Sequence, residues 1–409
     1  AFAAAEDVES RGAFDCYVVA DPEFVLPRWA GVLGNRVAWA SVANLAYAVG
    51  ARLHWTAKRR AVESEEPPLP AYHCEAYPAL AGMHKIKLFT LADSQGCACR
   101  CHACALPDSE LGFRRTSPDR IREAMVEAGL EHGARAFHVA GPGTTGAHAR
   151  AVAIAISGGG LDVAYSRSLS IGLTDPSVFP LLEGSGCRAV WFRVDTGSQM
   201  LLENHYGRGI EVSHVERVLR AAKGAGLFTG ARFTYPCPGD DRHTEAETIR
   251  LVERTRLDAV HVALPEVVYR STWHRHPELF GFGREASLGD GRAVAGRLRF
   301  PMPKYLEPLP YAVGRLGKGQ VLAGNEALSL ELARRDVATC FPEAFFLVAR
   351  LGQQAGKERA LALRAQHHFM TGAVSSIAAL ASRFNQAACV PAYANALRRT
   401  VRLRLAAGD

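Results

Sequence analysis

Four of the chain's ten cysteines fall in one short segment, Gly96-Cys97-Ala98-Cys99-Arg100-Cys101-His102-Ala103-Cys104. Thiolates are soft ligands, so a cluster of them points to a metal or a redox couple. Cys97, Cys101 and Cys104 space as C-x3-C-x2-C on a loop expected to leave a strand. Three thiolates on such a loop can converge on three irons of a cubane and leave the fourth open, as a cluster that binds and reduces a small molecule requires. Cys99 falls in neither register, which suits a bystander thiol better than a fourth ligand. Two plainer readings stand beside this one. Cys101-x-x-Cys104 could be half of a structural zinc site completed by Cys16 and Cys74. It could also be a thioredoxin-like dithiol, although that motif normally opens a helix in a smaller domain. The other six cysteines are dispersed, unlike the dense framework of a small secreted domain.

Other segments carry weaker chemistry. Gly141-Pro142-Gly143-Thr144-Thr145-Gly146 matches the dinucleotide fingerprint, and Asp162 follows at a suitable distance. Yet that acid should end a strand, whereas Asp162 begins one, and Pro142 stiffens the turn. Trp273-His274-Arg275-His276-Pro277-Glu278 offers two imidazoles two residues apart, which on a strand would share a face, but Pro277 and the polar run favour a loop. His367, His368, Phe341, Phe345 and Phe346 read as packing or surface. Tyr165, Tyr235 and Tyr269, near strand ends, suit either barrel lining or core.

An alternating pattern would position the cysteines. Strands are expected at 85–92, 136–140, 161–166, 189–194, 228–235 and 259–263. Helices are expected between them, at 119–132, 147–156, 176–183, 212–225 and 245–254. Such an order argues a parallel barrel or open parallel sheet, whose sites gather at the carboxyl ends of the strands. Ahead of it, residues 14–65 carry strand signals at 14–20 and 52–55 and helical stretches near 27–33 and 42–49, like the last part of an α/β unit. Residues 63–72 form an acidic, proline-rich linker. Beyond residue 300 the strand signal fades into helices, for example 327–335 and 359–366.

The 409 residues are 48% hydrophobic and 22% charged, with net charge +7, which excludes a wholly disordered or collagen-like chain. Only seven of the 48 basic residues are Lys. The Arg residues are scattered, with small groups at 58–60 and 398–404, which argues against a nucleic-acid stripe. No apolar run approaches membrane-spanning length and no signal peptide opens the chain, so a cytoplasmic protein without membrane association is expected.

With its C-x3-C-x2-C loop, the sequence resembles the radical S-adenosylmethionine (SAM) enzymes over roughly residues 66–300. The residue before the last Cys is Ala103, where that family usually has an aromatic. Further segments fall in family order. Residues 161–186 resemble the third strand with a Ser-Arg pair, followed by the turn at 184–187. Residues 190–198 (VWFRVDTGS) resemble the fourth strand and its ribose-facing element, with Asp195 for Glu and Thr196 for Ser. Residues 206–210 and 221–226 resemble the "kG" turn and the following helix end. Residues 235–241 (YPCPGDD) resemble the turn after the fifth strand, with Pro236 for Gly.

The set most resembles the cobalamin-dependent radical SAM methyltransferases, with residues 14–26 and 69–77 similar to the end of a cobalamin-binding domain and its bridge. The resemblance implies a partial (β/α)6 barrel over 85–300, after the tail of a doubly wound cobalamin-binding-type domain (1–65) and a linker (66–84). An α-rich region (301–409) follows. It implies a [4Fe-4S] cluster on Cys97, Cys101 and Cys104, with SAM held by Gly141, Gly143, Ser166, Arg167, Asp195 and Gly197. Cobalamin and an electron donor such as a flavodoxin or ferredoxin complete the set. In this reading the Gly141–Gly143 turn offers backbone to the methionine amino group rather than to NAD, Ser166 and Arg167 face its carboxylate, and Asp195 accepts from the ribose. The plainer readings are that Arg167 pairs with a surface acid and that Asp195 caps the helix near Ser198. The expected reaction is methyl transfer to an unreactive or aromatic carbon of a small-molecule or peptide-derived substrate. The alternatives are a non-methylating rearrangement or cyclisation by the same parts and, in a different class, a zinc-binding, RNA-interacting protein.

Overall fold

The computed structural model describes residues 15–49, 52–59, 66, 69, 87–105, 113–268, 271–284, 311–367 and 374–388. At the amino end, β1 (Cys16–Val18), α1 (Pro22–Ala30), β2 (Leu45–Val49) and β3 (Arg52–Trp55) form a small unit. Its core includes Trp39, which meets Trp29 and Tyr47 edge-on with ring centroids 5.4 and 5.5 Å apart. Both strand pairs are antiparallel, whereas the tail of a doubly wound sheet would be parallel. The stretch expected as a helix, 42–49, is largely strand β2. Its three alanines gave it a helical composition, and pairing of β2 on both edges overrides that propensity. Asn44 sets the entry with φ 60. Its side chain donates to Arg59 O at 2.8 Å and accepts from Arg59 N at 2.7 Å.

A parallel sheet follows. In chain order come β4 (Leu88–Ala92), β5 (Ser94–Gln95), β6 (Arg114–Arg115), α2 (Pro118–His132), β7 (Ala136–Ala140), α3 (Gly146–Gly158) and β8 (Ala164–Leu169). Next are α4 (Phe179–Gly184), β9 (Cys187–Asp195), α5 (Gln199–Asn204), α6 (Val212–Gly224), β10 (Phe228–Thr234), α7 (Arg242–Thr255) and β11 (Ala259–Ala263). The remainder is α8 (Thr272–Arg275), β12 (Phe282–Arg284), β13 (Tyr311–Val313), α9 (Lys318–Ala333), β14 (Ala338–Thr339), α10 (Phe345–Leu351), α11 (Gln353–His367) and α12 (Val374–Ala388). Strands β4, β7, β8, β9, β10, β11 and β14 lie side by side in chain order, every pair parallel. That order, with a helix in each crossover, is the winding of a barrel and not of a doubly wound sheet. The six expected strands are present, and β14 adds a seventh beyond residue 300. With two residues, it is too short to leave a period in the sequence. β4 and β14 are the edges of the sheet.

Local chemistry explains the helices. α2 starts at Ser117, whose hydroxyl accepts from Arg120 N at 3.3 Å, and stops at Gly133, whose φ of 62 favours glycine. α6 buries Val215, Val218, Leu219 and Ala222, one stripe at helical spacing. Each buried Val or Leu contributes about 1.5–3 kcal/mol of transfer free energy.

The two faces of the sheet differ in side-chain size. Phe89, Phe137, Tyr165, Phe192 and Val260 point to the helix layer and share its core. On the other face, Ala136, Ala164, Ala189, Ala259 and Ala338 stand at or near the amino ends of their strands, packed with Phe345, Phe346, Leu347 and Phe384 of the carboxy-terminal helices. The small residues make room for this plug. Trp191 also lies over Gly230, its ladder partner, where a Cβ would strike the indole. Among the described residues, no helix is long and apolar enough to cross a membrane.

Candidate active site

The cysteine loop leaves the carboxyl end of β4 through β5, as its spacing required. Its backbone is held from two sides. His102 N donates to Tyr206 O at 2.9 Å, and Trp273 N donates to His102 O at 3.2 Å. Glycines let neighbouring segments approach. A Cβ on Gly143 would lie 2.7 Å from Phe113, 3.2 Å from Gly96 O and 3.3 Å from Cys97 Cα. A Cβ on Gly207 would meet the His102 ring at 2.5 Å. Cys97, Cys99, Cys101 and Cys104 are all half-buried thiols outside any disulfide.

Cationic groups surround the loop. Arg208 lies within electrostatic reach of Cys101, and Arg193 of Cys104. The Cys99 thiol is pulled down to about 6 by its hydrogen bond with Cys97, with Ser170 and Arg208 also favouring the thiolate. The same hydrogen bond and burial raise Cys97. A donor set of three thiols at separate points of one loop, with guanidiniums to stabilise thiolate charge, fits a cluster that takes one sulfur per iron. Among the described residues, no three His, Cys, Asp or Glu side chains are gathered as a single ion would require. Cys74, invoked for zinc, lies outside the described residues, as do Tyr269 and His368.

Beside Cys104 opens a cavity of about 240 Å³ lined by Arg193, Arg232, Thr234, Glu266 and Trp273, among others. Strand alternation aims Trp191, Arg193, Gly230, Arg232 and Thr234 at this interior. Arg193 and Arg232 are ladder partners. Arg232 Nε is buried without a partner, and its Nη2 lies 3.8 Å from Glu266. Lower on the same face, His138 Nδ1 is 2.7 Å from Ser166 Oγ. Burial pulls His138 down to about 4, with Arg167 adding to the effect and Asp93 opposing it, so the ring is neutral at pH 7.

The residues expected to hold SAM divide. Gly143 borders the cysteine loop, while Gly141 packs its α-carbon face on Asp93 and Ser94. Ser166 faces the interior. Arg167 does not: it shares its side of β8 with Tyr165 and Leu169 and is fully buried in an ion pair with Asp93 at 2.5 Å. Thr144 donates to the other Asp93 oxygen at 2.6 Å. Its partner is thus neither a SAM carboxylate nor a surface acid. Asp195 sits on a bulge in β9 with φ 77, a conformation that few side chains tolerate. Its buried carboxylate is bound by Arg193 Nε at 3.0 Å, Arg208 Nη1 at 3.2 Å and Thr234 Oγ1 at 3.4 Å. Burial alone would raise its pKa, but Arg193, Arg208 and Arg232 hold it below the usual range. It orders guanidiniums instead of standing open to a ribose, and it caps no helix. Gly197 serves close packing: its N–H donates to Thr248 Oγ1 at 2.9 Å, and a Cβ would lie 2.6 Å from Thr248 Cα.

Arg193, Arg208 and Arg232 were not among the expected site residues. A period-two count along β9 and β10 marks the first and last of them, and Arg208 stands in the turn Tyr206–Ile210. The two imidazoles at 274 and 276 fall on and just after the one-turn helix α8, not on a strand. Asp162 pairs with Arg135 at 2.7 Å ahead of β8, at the end of the strands opposite the glycine turn, so it offers nothing to a dinucleotide bound there.

No family model matches the chain. An uncharacterized methyltransferase of Pyrococcus horikoshii is 25% identical over 205 residues, 47% of this chain and 42% of that protein. The match thus spans less than half the length of the curated relative. Among solved structures, the radical SAM methyltransferase TsrM from Kitasatospora setae, with cobalamin and a [4Fe-4S] cluster bound, superimposes with TM-score 0.62. The match has 14% identity and covers 94% of this chain and 79% of that one. The cobalamin-dependent SAM radical enzyme OxsB, with aqua-cobalamin bound, gives TM-score 0.60 at 13% identity, over 100% of this chain and 67% of that one. The chain has their fold. In this chain the carboxyl ends of the parallel strands lie over the cysteine loop, which leaves β4 at that end.

Proposed function

We propose that the protein is a radical SAM enzyme and a methyltransferase. It would bind a [4Fe-4S] cluster through Cys97, Cys101 and Cys104 and act on a carbon of a small-molecule or peptide-derived substrate. The observation that carries this is the three-thiol loop at the strand-end mouth of a parallel barrel, next to a cavity lined by Cys104 and two in-register arginines. When bound, the cluster supplies a low-potential electron to SAM, drawn from a donor such as a flavodoxin or ferredoxin.

This chain's own residues do the rest. Arg193 and Arg232 offer a guanidinium pair to the anionic end of a ligand, because carboxylates suit that fork. Asp195 fixes Arg193 and Arg208 in place. Gly143 lets the turn after β7 approach the loop, and Ser166 faces the same interior. The aromatic floor at Trp191 and Phe345 excludes water from a reactive site. Cobalamin is bound in both solved relatives. Cobalamin is the expected cofactor here too, but the antiparallel sheet of residues 15–59 is not itself the set of parallel strand ends that holds a corrin in a doubly wound domain, so no step is routed through it.

The experiment is anaerobic reconstitution with iron and sulfide. The parent should turn brown and carry about four irons with labile sulfide per chain. The Cys97→Ala, Cys101→Ala, Cys104→Ala triple variant should stay colourless. A full cluster on the triple variant, or stoichiometric zinc in a colourless parent, would overturn the reading.

A further inference from the structure

Arg114 is fully buried, and three acceptors converge on its Nη2. They are Asp21 Oδ1 at 2.7 Å, Glu23 Oε1 at 2.6 Å and Gln95 Oε1 at 2.6 Å. They come from two parts of the molecule. Asp21 and Glu23 flank the start of α1 in the amino-terminal unit, while Gln95 ends β5, two residues before Cys97. Arg114 itself lies opposite Gln95 in the β5–β6 ladder. Phe24 covers the guanidinium, with its ring centroid 4.8 Å from Cζ.

The arrangement is costly for a simple brace. Two donors, Nε and Nη1, are buried without any partner, and each such group forfeits its hydration. A buried ion pair is a weak source of net stability but strongly fixes geometry, and removing one partner leaves a charge stranded. A brace of this kind therefore holds position more than it holds the fold.

We propose that Arg114 is a positioning residue that transmits the seating of the amino-terminal unit to the cysteine loop. With Asp21 and Glu23 in place, Nη2 holds Gln95, and the peptide that leads to Cys97 has one position. When the unit shifts, Gln95 is released and the loop slackens. The linkage is a property of the protein alone; its consequence for an iron–sulfur cluster rests on the function proposed above.

The test reads Cys97 directly. The rate of its alkylation by iodoacetamide in the apoprotein is followed by peptide mass spectrometry, in the parent and in Glu23→Gln, Gln95→Ala, the double variant and Arg114→Lys. Glu23→Gln and Gln95→Ala should each speed alkylation about tenfold, as expected for weakening of one charge-assisted hydrogen bond. The double variant should be no faster than the faster single one, because both sever the same link. Arg114→Lys keeps a cation but ends one atom short of Nη2, so it should release the loop as Glu23→Gln does. An unchanged rate in Glu23→Gln, multiplying rates in the double variant, or a lysine variant as slow as the parent would each overturn the proposal. In reconstituted protein, iron release to a chelator should follow the same order. A parent that takes up no iron while the alkylation pattern holds would defeat the cluster reading and leave the linkage standing.

Discussion

Arg193 and Arg232 stand directly opposite each other in the β9–β10 ladder, two cations side by side on the interior face. Asp195 binds the first at 3.0 Å, and Glu266 approaches the second only to 3.8 Å. Like charges facing each other across a ladder repel, so the pair favours an anion in the cavity. Arg232→Met should weaken SAM or carboxylate binding by roughly ten- to a hundredfold, the usual size of a hydrogen bond to a charged group. Calorimetry on cluster-loaded protein checks this. Equal affinity in the variant would place the anionic end elsewhere.

Arg167 should behave differently. It faces the helix layer, so Arg167→Met should lower stability by about 3–5 kcal/mol by stranding Asp93. Urea unfolding measures that loss. Ligand affinity per folded molecule should stay at the parent's value, and a selective loss of SAM binding would return Arg167 to the site.

Gly143→Ala should injure the cysteine loop more than the fold. Its Cβ would press on Phe113 at 2.7 Å and on the Gly96–Cys97 backbone, which costs about 1–3 kcal/mol if the neighbours must move. The expected result is a folded protein with reduced iron content after reconstitution. Full iron content would mean that the turn and the loop are not in register.

Cys99 should be dispensable for iron. It lies between Cys97 and Cys101 but outside their spacing, so Cys99→Ser should retain the full complement of iron and sulfide. Loss of the cluster in this variant would make Cys99 a ligand and one of the other three the bystander.

The neutral His138 gives a pH signature. Its pKa in the fold is about 4, against 6.5 ordinarily, so below pH 6.5 the unfolded chain binds a proton that the native state refuses. Stability from this residue is complete above about pH 6.5 and is lost as pH falls through 4. His138→Gln should flatten the acid side of the stability profile in that window. An unchanged slope would assign the acid loss to other groups.

Much of this was legible in the chain. The alternation of strands and helices exposed six of the seven strands, because each strand is long enough to repeat and each helix buries a stripe. The cysteine spacing located the loop at a strand end. The amino-terminal unit was misread because Leu45–Val49 is alanine-rich, and its strand character comes from partners on both edges. β14 has two residues and no period of its own. At the site, Arg167 was chosen for its chemistry next to Ser166, but a strand turns adjacent residues to opposite faces. Arg193, two residues before Asp195, was passed over for the acid that holds it. Charge type was visible in the sequence; facing required the register.

The floor of alanines filled by Phe345, Phe346 and Phe384 has a consequence for traffic. Among the described residues the plug bars the amino ends of the strands, so molecules can reach the interior only from the carboxyl ends or between the edge strands β4 and β14. Traffic is thereby turned toward the side on which the cysteine loop lies.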